Sequence, residues 1–457
     1  MPDAPPLSPD RLLRFATANL PRYTSYPTAP HFAPLAEQEW RERLGAVAPG
    51  DALSLYVHVP FCRALCWYCG CHTAVTRNPL RLARYAAALR AEAALLAEAL
   101  PAACGPVTAL HFGGGTPTAI GVPALVGLVA DLRQRFGFAA GAELAIELDP
   151  RALGAADADA LAAAGFRRAS LGVQDIAPEV QARIGREQPA ALVEAAVRRL
   201  RAAGIARINC DLIYGLPGQT ADHVAASAAF VAALGADRVA VFGYAHVPWM
   251  KPHQQALDEA ALPGPLARLE QAEAAERVLR AAGYEPIGLD HFARPDDPMA
   301  EAARAGRLRR NFQGYTTDDA PVLLGLGASA ISRLPAFYAQ NASDERRWLD
   351  LVGAGRLPVA RGLALTPEDL ERARLIERVM CDLALDLTGV PDAIMATAAA
   401  RLAPLAGDGL VRLEQGGRWL RVTERGRRFL RHVAACFDAR LDPGGAAASR
   451  RRHSLAV

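Results

Sequence analysis

The stretch VHVPFCRALCWYCGCHT, residues 57–73, holds four of the chain's eight cysteines: Cys62, Cys66, Cys69 and Cys71. The spacing C-x3-C-x2-C-x-C puts four thiols on one loop. Thiols this close can hold a metal, form disulfides or simply pack. Zinc sites usually draw on two separated ligand pairs. Here no second Cys/His pair lies nearby, and His72 would crowd the same face. Iron–sulfur clusters are held by thiolates on short loops. Three thiolates on such a loop can hold three irons of a cubane, which leaves the fourth iron open to a small molecule. A second stretch, HFGGGTPT at 111–118, has three successive glycines. They remove side chains where a backbone must approach a ligand, and they also fit an ordinary tight turn.

The compartment bears on the thiols. The opening residues MPDAPPLSPDRLLRFATANL contain no apolar core of signal-peptide length. No stretch reaches the roughly 18 uninterrupted apolar residues of a membrane span. A cytoplasmic protein without a membrane partner is expected, and in a reducing compartment clustered cysteines serve as ligands or catalysts more often than as disulfides. A net charge of +3 gives no support to nucleic-acid binding by the protein as a whole. Lys251 is the only lysine among 51 basic residues, and alanine is abundant. This is a broad compositional bias, so single arginines carry little weight.

The elements that must position these residues follow from periodicity. At 457 residues the chain exceeds one hydrophobic core, and two or three domains are expected. β-rich runs fall at 53–59, 107–112, 143–149, 168–173, 206–214 and 237–244. Alanine-rich helical segments lie near 80–100, 122–136, 152–164, 188–203, 219–234 and 265–282. Such alternation predicts parallel strands joined by right-handed crossovers, in a partial or complete β/α barrel or a doubly wound sheet. Both architectures place functional residues at the carboxyl ends of strands. Those ends carry the cysteine loop, the glycine run, Glu147 and Asp149, Gln174 and Asp175, Asp211 with YGLPGQT, and GYAH. Six polar or glycine-rich ends argue for one shared site.

Residues 1–50 read as an irregular extension, and 51–360 as the β/α domain. The remainder to 442 reads as a mainly helical, winged-helix-like domain. In it Thr366 is the predicted N-cap before Pro367, GLVRLEQGGRWLRVT a hairpin turning at Gly416-Gly417, and ERGRRFLRHVAACF the last helix. Residues 443–457 read as a disordered tail.

The x3-then-x2 spacing after the first strand resembles the radical S-adenosylmethionine superfamily. The resemblance implies a partial (β/α)6 barrel and a 4Fe-4S cluster on Cys62, Cys66 and Cys69. S-adenosylmethionine would fill the open iron site, and its reductive cleavage would release a 5′-deoxyadenosyl radical. More specifically, PRYTSYPT (21–28), YVHVPFCRALCWYCGC (56–71), GGGTPT (113–118), IELDPR (146–151), LGVQD (171–175), GREQ (185–188), DLIYGLPGQT (211–220), GYAHVPWMK (243–251), DHFARPDD (290–297), NFQGYTT (311–317) and GASAIS (327–332) run in order over almost the whole chain. Together they resemble the oxygen-independent coproporphyrinogen III oxidases.

That family implies oxidative decarboxylation of two propionates of coproporphyrinogen III to vinyl groups, giving protoporphyrinogen IX in haem biosynthesis. A radical cofactor carries the difficult C–H step while the protein positions and excludes water. It also implies two S-adenosylmethionine molecules. Carried over by motif, Tyr56, Gly114 and Glu147 would contact the cluster-bound one. Tyr68, Gly115, Thr116, Gln174, Arg186, Asp211, Ala245 and Ile331 would surround the second. Position 68 is often Phe in the family, and Tyr keeps the aromatic face. Carboxylate recognition favours arginine, so Arg22 with Tyr23 and Tyr26 is the first candidate for the substrate, and Arg294 and Arg310 follow. The expected partners are an electron donor of flavodoxin or ferredoxin type and an unidentified final acceptor, with a monomeric protein and no nucleic acid. The alternative is a related haem chaperone without oxidase activity, which typically lacks the PRYTSYPT extension and the fourth cysteine. A DNA-binding regulator built on the winged-helix-like region is a third reading.

Overall fold

The six β-rich runs become six parallel strands in the computed structural model, which describes residues 7–441. They are β1 (Leu53–Val59), β2 (Val107–Gly114), β3 (Phe138–Leu148), β4 (Arg168–Gln174), β5 (Arg207–Tyr214) and β6 (Arg238–Gly243). Alternation in LSLYVHV explains the sidedness of β1. Leu53, Leu55, Val57 and Val59 enter the main core, while Tyr56 and His58 face the opposite side with other polar groups. Between the strands lie helices at Pro79–Ala99, Val122–Phe136, Asp157–Ala163, Ala190–Ala202 and Ala221–Ala233. Asn78 caps the first of these, its side chain accepting from Leu80 N and Arg81 N.

Strand order separates the two architectures that periodicity left open. β1 to β6 neighbour one another in chain order, without the reversal that a doubly wound sheet requires. Right-handed crossovers then put every helix on one face, and the other face is left to line a site. A seventh parallel strand, β7 (Val322–Leu326), pairs with the outer side of β1. The sheet does not close among the described residues. Antiparallel strands extend it on both sides, to Ala33–Pro34 beyond β7 and to Glu285–Ile287 beyond β6, for thirteen strands in all. The partial-barrel expectation describes its parallel centre.

The first fifty residues are not one separate unit. Phe15, Leu20, Tyr23 and Tyr26 pack into a second core with Ile376, Val379, Phe429 and Phe437. Trp40, Leu44 and Val47 instead join the main core, beside the strand Ala33–Pro34 paired with Val359–Ala364. That last strand also crosses the 360/361 boundary expected from the sequence. The C-terminal region begins with the helix Pro367–Asp382, where Thr366 forms a capping box with Asp369. The hairpin Val411–Glu414/Trp419–Val422 turns through Gly416 and Gly417, both at positive φ. A strand, Ala384–Asp386, and a helix, Asp392–Gly407, lie between them and were not apparent from the sequence. The helix is alanine-rich and carries Pro404 in its last turn, so its apolar stripe is weak. The tail expected at 443–457 lies outside the described residues.

One buried acid ties the helix Pro79–Ala99 to the β7 end of the sheet. Glu92 accepts from Gly327 N (2.7 Å), Asn341 Nδ2 (2.6 Å) and Trp348 Nε1 (3.2 Å). Burial outweighs these donors and pushes the carboxyl from 4.5 up to about 8. The folded state therefore holds this proton more tightly than the unfolded chain. The stability it contributes is fully present below about pH 4.5, declines as pH rises, and is gone above about pH 8. Glu92→Gln, which does not titrate, should flatten this part of the stability profile. Urea midpoints measured across that window check it, and an unchanged slope in the variant contradicts it.

Candidate cluster and cofactor site

The cysteine loop is stapled at its base. Beyond β1 the two-residue strands Phe61–Cys62 and Ala74–Val75 pair in parallel, with Ala74 N donating to Pro60 O and Thr76 N to Cys62 O. The glycine turn after β2 docks on the same base, Gly115 N donating to Val59 O and Thr116 N to Phe61 O. A Cβ on Gly115 would lie 2.7 Å from Phe61 O and 3.0 Å from Cys62 Sγ. Gly114, at φ +113°, would clash with the His58 ring at 2.7 Å. The glycines thus let one backbone lie directly against the cysteine loop.

The sulfurs of Cys62, Cys66 and Cys69 share one cavity of about 1810 Å³, including its mouth. No disulfide occurs among the described residues. Cys71 also lines the cavity, and its thiol and backbone N–H beside the Cys69 sulfur hold the Cys69 thiol below its usual range. Three donors from the segment after β6 grip the loop's carbonyls. Gln254 Nε2 reaches Tyr68 O at 3.0 Å, His253 Nε2 reaches Cys69 O at 2.8 Å, and Lys251 Nζ reaches Cys71 O at 2.6 Å.

Charge gathers at Cys66. Asp149, at the end of β3, takes a bidentate bond from Arg151 and a longer contact from Arg186. Both guanidinium groups also reach Cys66 Sγ, at 3.5 and 3.4 Å. Two cations beside this sulfur would bear on the potential of a cluster held there. Arg186 further donates to Gly172 O at 2.7 Å. Its guanidinium is held above its usual range by Tyr68, Asp149 and Cys66, against burial.

Glu147 and Asp211 supply the cavity's other carboxylates. Glu147 accepts from Gly114 N at 3.1 Å and meets His111 Nε2 at 3.3 Å. Tyr56 does not line the cavity, but it stacks on His111 and shares a hydrogen bond with His58. Asp211 accepts from Ser170 Oγ (2.9 Å) and Asn209 Nδ2 (2.8 Å), since register places these strands side by side. Burial and the Glu147 charge raise it to about 6. Gln174 sits at φ +68°, and its Oε1 is buried without a partner, as is Arg186 Nε. Unpaired polar atoms in a cavity wall fit a polar ligand. The residues present therefore suit a thiolate-held cluster and a polar cofactor.

Tyr68, Gly115, Thr116, Arg186, Ala245 and Arg22 also line this cavity. Ile331 does not; it lies on the strand Ile331–Leu334, antiparallel to β7. Among the other substrate candidates, Tyr23 donates its OH to Asp438 and Tyr26 accepts from Ala439 N. Arg310 holds the carbonyls of Tyr23 and Arg22, and Arg294 is half exposed beside Asp296. These four stand outside the cavity lining. Sequence reasoning missed Arg151, Lys251, His253 and Gln254. Only the lone lysine and the arginine two places after Asp149 offered a signal.

Comparison with known proteins agrees with this geometry. Residues 56–231 match the Radical SAM superfamily. The chain is 48% identical to oxygen-independent coproporphyrinogen III oxidase of Bradyrhizobium diazoefficiens, over 98% of this chain and 99% of that protein. It is 42% identical to the Escherichia coli protein of the same name, covering 92% and 93%. The solved structure of the radical SAM enzyme HemN, coproporphyrinogen III oxidase from Escherichia coli, superposes with a TM-score of 0.87 at 40% identity, over 92% of this chain and 98% of that one. The chain belongs to the oxygen-independent coproporphyrinogen III oxidase family of the radical SAM superfamily.

Proposed function

We propose that this chain converts coproporphyrinogen III to protoporphyrinogen IX without oxygen, turning two propionates into vinyl groups with loss of two carbon dioxide molecules, as a step of haem biosynthesis. The observation that carries this reading is the single cavity shared by the three C-x3-C-x2-C thiols, the glycine turn and the carboxylates of Glu147 and Asp211. A reduced 4Fe-4S cluster with S-adenosylmethionine supplies, when bound, the power to take hydrogen from an unactivated carbon.

The chain's own residues do the rest. Cys62, Cys66 and Cys69 would hold the cluster, while Lys251, His253 and Gln254 fix the loop that carries them. Gly114, Glu147 and Tyr56 would receive the cofactor on the cluster, Glu147 as acceptor for an ammonium or hydroxyl. Tyr68, Gly115, Thr116, Gln174, Arg186, Asp211 and Ala245 would surround a second S-adenosylmethionine. Arg22 offers a cation to a propionate at the cavity wall. Ile331, Tyr23, Tyr26, Arg294 and Arg310 would act from outside the cavity lining, Arg310 by holding the backbone that carries Arg22. An electron donor of flavodoxin or ferredoxin type and a separate acceptor complete the electron balance. The protein works as a cytoplasmic monomer. Among the described residues, no helix is long and apolar enough to cross a membrane.

Asp211 gives this assignment a pH signature. Its carboxylate accepts hydrogen bonds fully only above about pH 6. S-adenosylmethionine affinity should therefore fall as pH drops through that value, and Asp211→Asn should bind weakly with no such dependence. Calorimetric titration measures both. The function itself is tested by strictly anaerobic turnover after cluster reconstitution. Protoporphyrinogen IX, methionine and 5′-deoxyadenosine are expected; no vinyl product, despite an intact cluster and cofactor cleavage, overturns the reading.

A further inference from the structure

A second cavity, of about 780 Å³ when the open solvent at its mouth is counted, lies between the β/α domain and the C-terminal region. Arg22 and Gly243 line both it and the cluster cavity, so the two adjoin at the end of β6. Four arginines line the second cavity: Arg22, Arg268, Arg428 and Arg431. Two carboxylates, Glu276 and Asp290, line it with them. Glu276 pairs with Arg280 at 2.7 Å, and Asp290 with His291 at 2.7 Å. The arginines are held in place by the protein. Arg22 donates to Gly243 O, Arg268 to Tyr244 O, and Arg431 to Pro21 O, while Arg428 pairs with Glu273. Arg268 and Arg431 are buried. Burial and the charge of Arg22 push Arg431 down to about 9. Between them the wall is apolar, with Tyr214, Leu269, Leu289 and Phe292.

We propose that this cavity is the carboxylate subsite of the enzyme, and that it holds the propionates of the substrate that keep their acid groups. The inference rests on the function proposed above. Coproporphyrinogen III carries four propionates on an apolar macrocycle, and only two react. The edge that stays intact must present two carboxylates somewhere beside the cluster cavity. A wall of arginines set among aromatic and aliphatic side chains meets both demands. Guanidinium groups bind carboxylates in a planar fork, and apolar surface takes the ring. Arg22 stands at the junction, where it can serve both cavities. No bond is made or broken here, so the subsite acts on affinity and on which propionates face the cluster.

The test uses the reconstituted holoenzyme and coproporphyrin III, the stable oxidised tetracarboxylate, with binding read by fluorescence anisotropy. Arg268→Gln and Arg428→Gln should each weaken it by about tenfold or more, the scale of one lost charge-assisted contact. Arg198→Gln, a solvent-exposed arginine outside the cavity, should leave it unchanged. The tetramethyl ester of coproporphyrin III should bind weakly to the wild type and be insensitive to all three changes. Arg428 is 42% exposed, so its variant keeps the test open if Arg268→Gln does not fold. Tetracarboxylate binding by both folded variants as tight as wild type, or ester binding as tight as the acid, overturns the subsite. If wild type turns over coproporphyrinogen III while those variants bind normally, the subsite alone fails. If wild type neither binds nor turns over, the proposed function fails and takes the subsite with it.

Discussion

Cys62→Ala, Cys66→Ala and Cys69→Ala are each expected to abolish the cluster and all turnover, whereas Cys71→Ala is expected to retain most of the cluster. A cubane held by three protein thiolates has no spare ligand, because its fourth iron is reserved for the cofactor. Removing one thiolate leaves two irons without a protein ligand, and the loop supplies no substitute in the right place. Cys71 is the next thiol along the loop, two residues beyond Cys69, and stands outside the C-x3-C-x2-C spacing. Its loss should leave the three ligands and the loop's carbonyl clamps in place. Iron and sulfide content after reconstitution, with the electron paramagnetic resonance signal of the reduced cluster, reads all four variants. Full cluster in any of the first three, or none in the last, contradicts the assignment.

Asp297→Ala is expected to destabilise the protein by about 3–5 kcal/mol, the cost of leaving a buried charge without its partner. Arg238 opens β6 and donates through Nε to Asp297 Oδ1 at 2.7 Å, with side chains only 4% and 2% exposed. Burial and Arg168 already press the Arg238 guanidinium below its usual range, and Asp297 is the counter-charge in contact with it. The same carboxylate caps the helix Pro298–Arg304 by accepting from Met299 N, so alanine also removes an N-cap worth about 1 kcal/mol. Asp297→Asn keeps an acceptor for both donors and should cost clearly less. The midpoint of the first urea transition measures the series. The effect should extend to the site, because β6 delivers Gly243 and the segment that clamps the cysteine loop. An alanine variant as stable as wild type would show that Arg238 finds another partner.

Much of this architecture was written in local patterns. β-rich runs located β1 to β6, and alanine-rich runs located the helices between them. Chain order in the sheet then decided between the two folds that periodicity allowed, and that information is not local. Beyond β7 the strands are short and antiparallel, as in Ile331–Leu334 and Phe337–Asn341, and they lack the β/α rhythm that betrayed the others. At the site, cysteine spacing and glycine runs are contiguous and therefore readable. The clamp by Lys251, His253 and Gln254 joins residues far apart in the chain, and no spacing rule announces it. The N-terminal aromatics show the converse. Tyr23 and Tyr26 have the chemistry of ligand contacts, but folding commits their hydroxyls to Asp438 and the backbone of Ala439. Arg310 is likewise occupied by the carbonyls of Arg22 and Tyr23, and in that way it helps to present Arg22 to both cavities.

The most direct measurement follows deuterium placed on the β-carbons of the reacting propionates. With the reconstituted enzyme under strict anaerobiosis in ordinary water, the 5′-deoxyadenosine released should carry that deuterium, and protoporphyrinogen IX should form alongside it. Vinyl product accompanied by unlabelled 5′-deoxyadenosine would contradict the account.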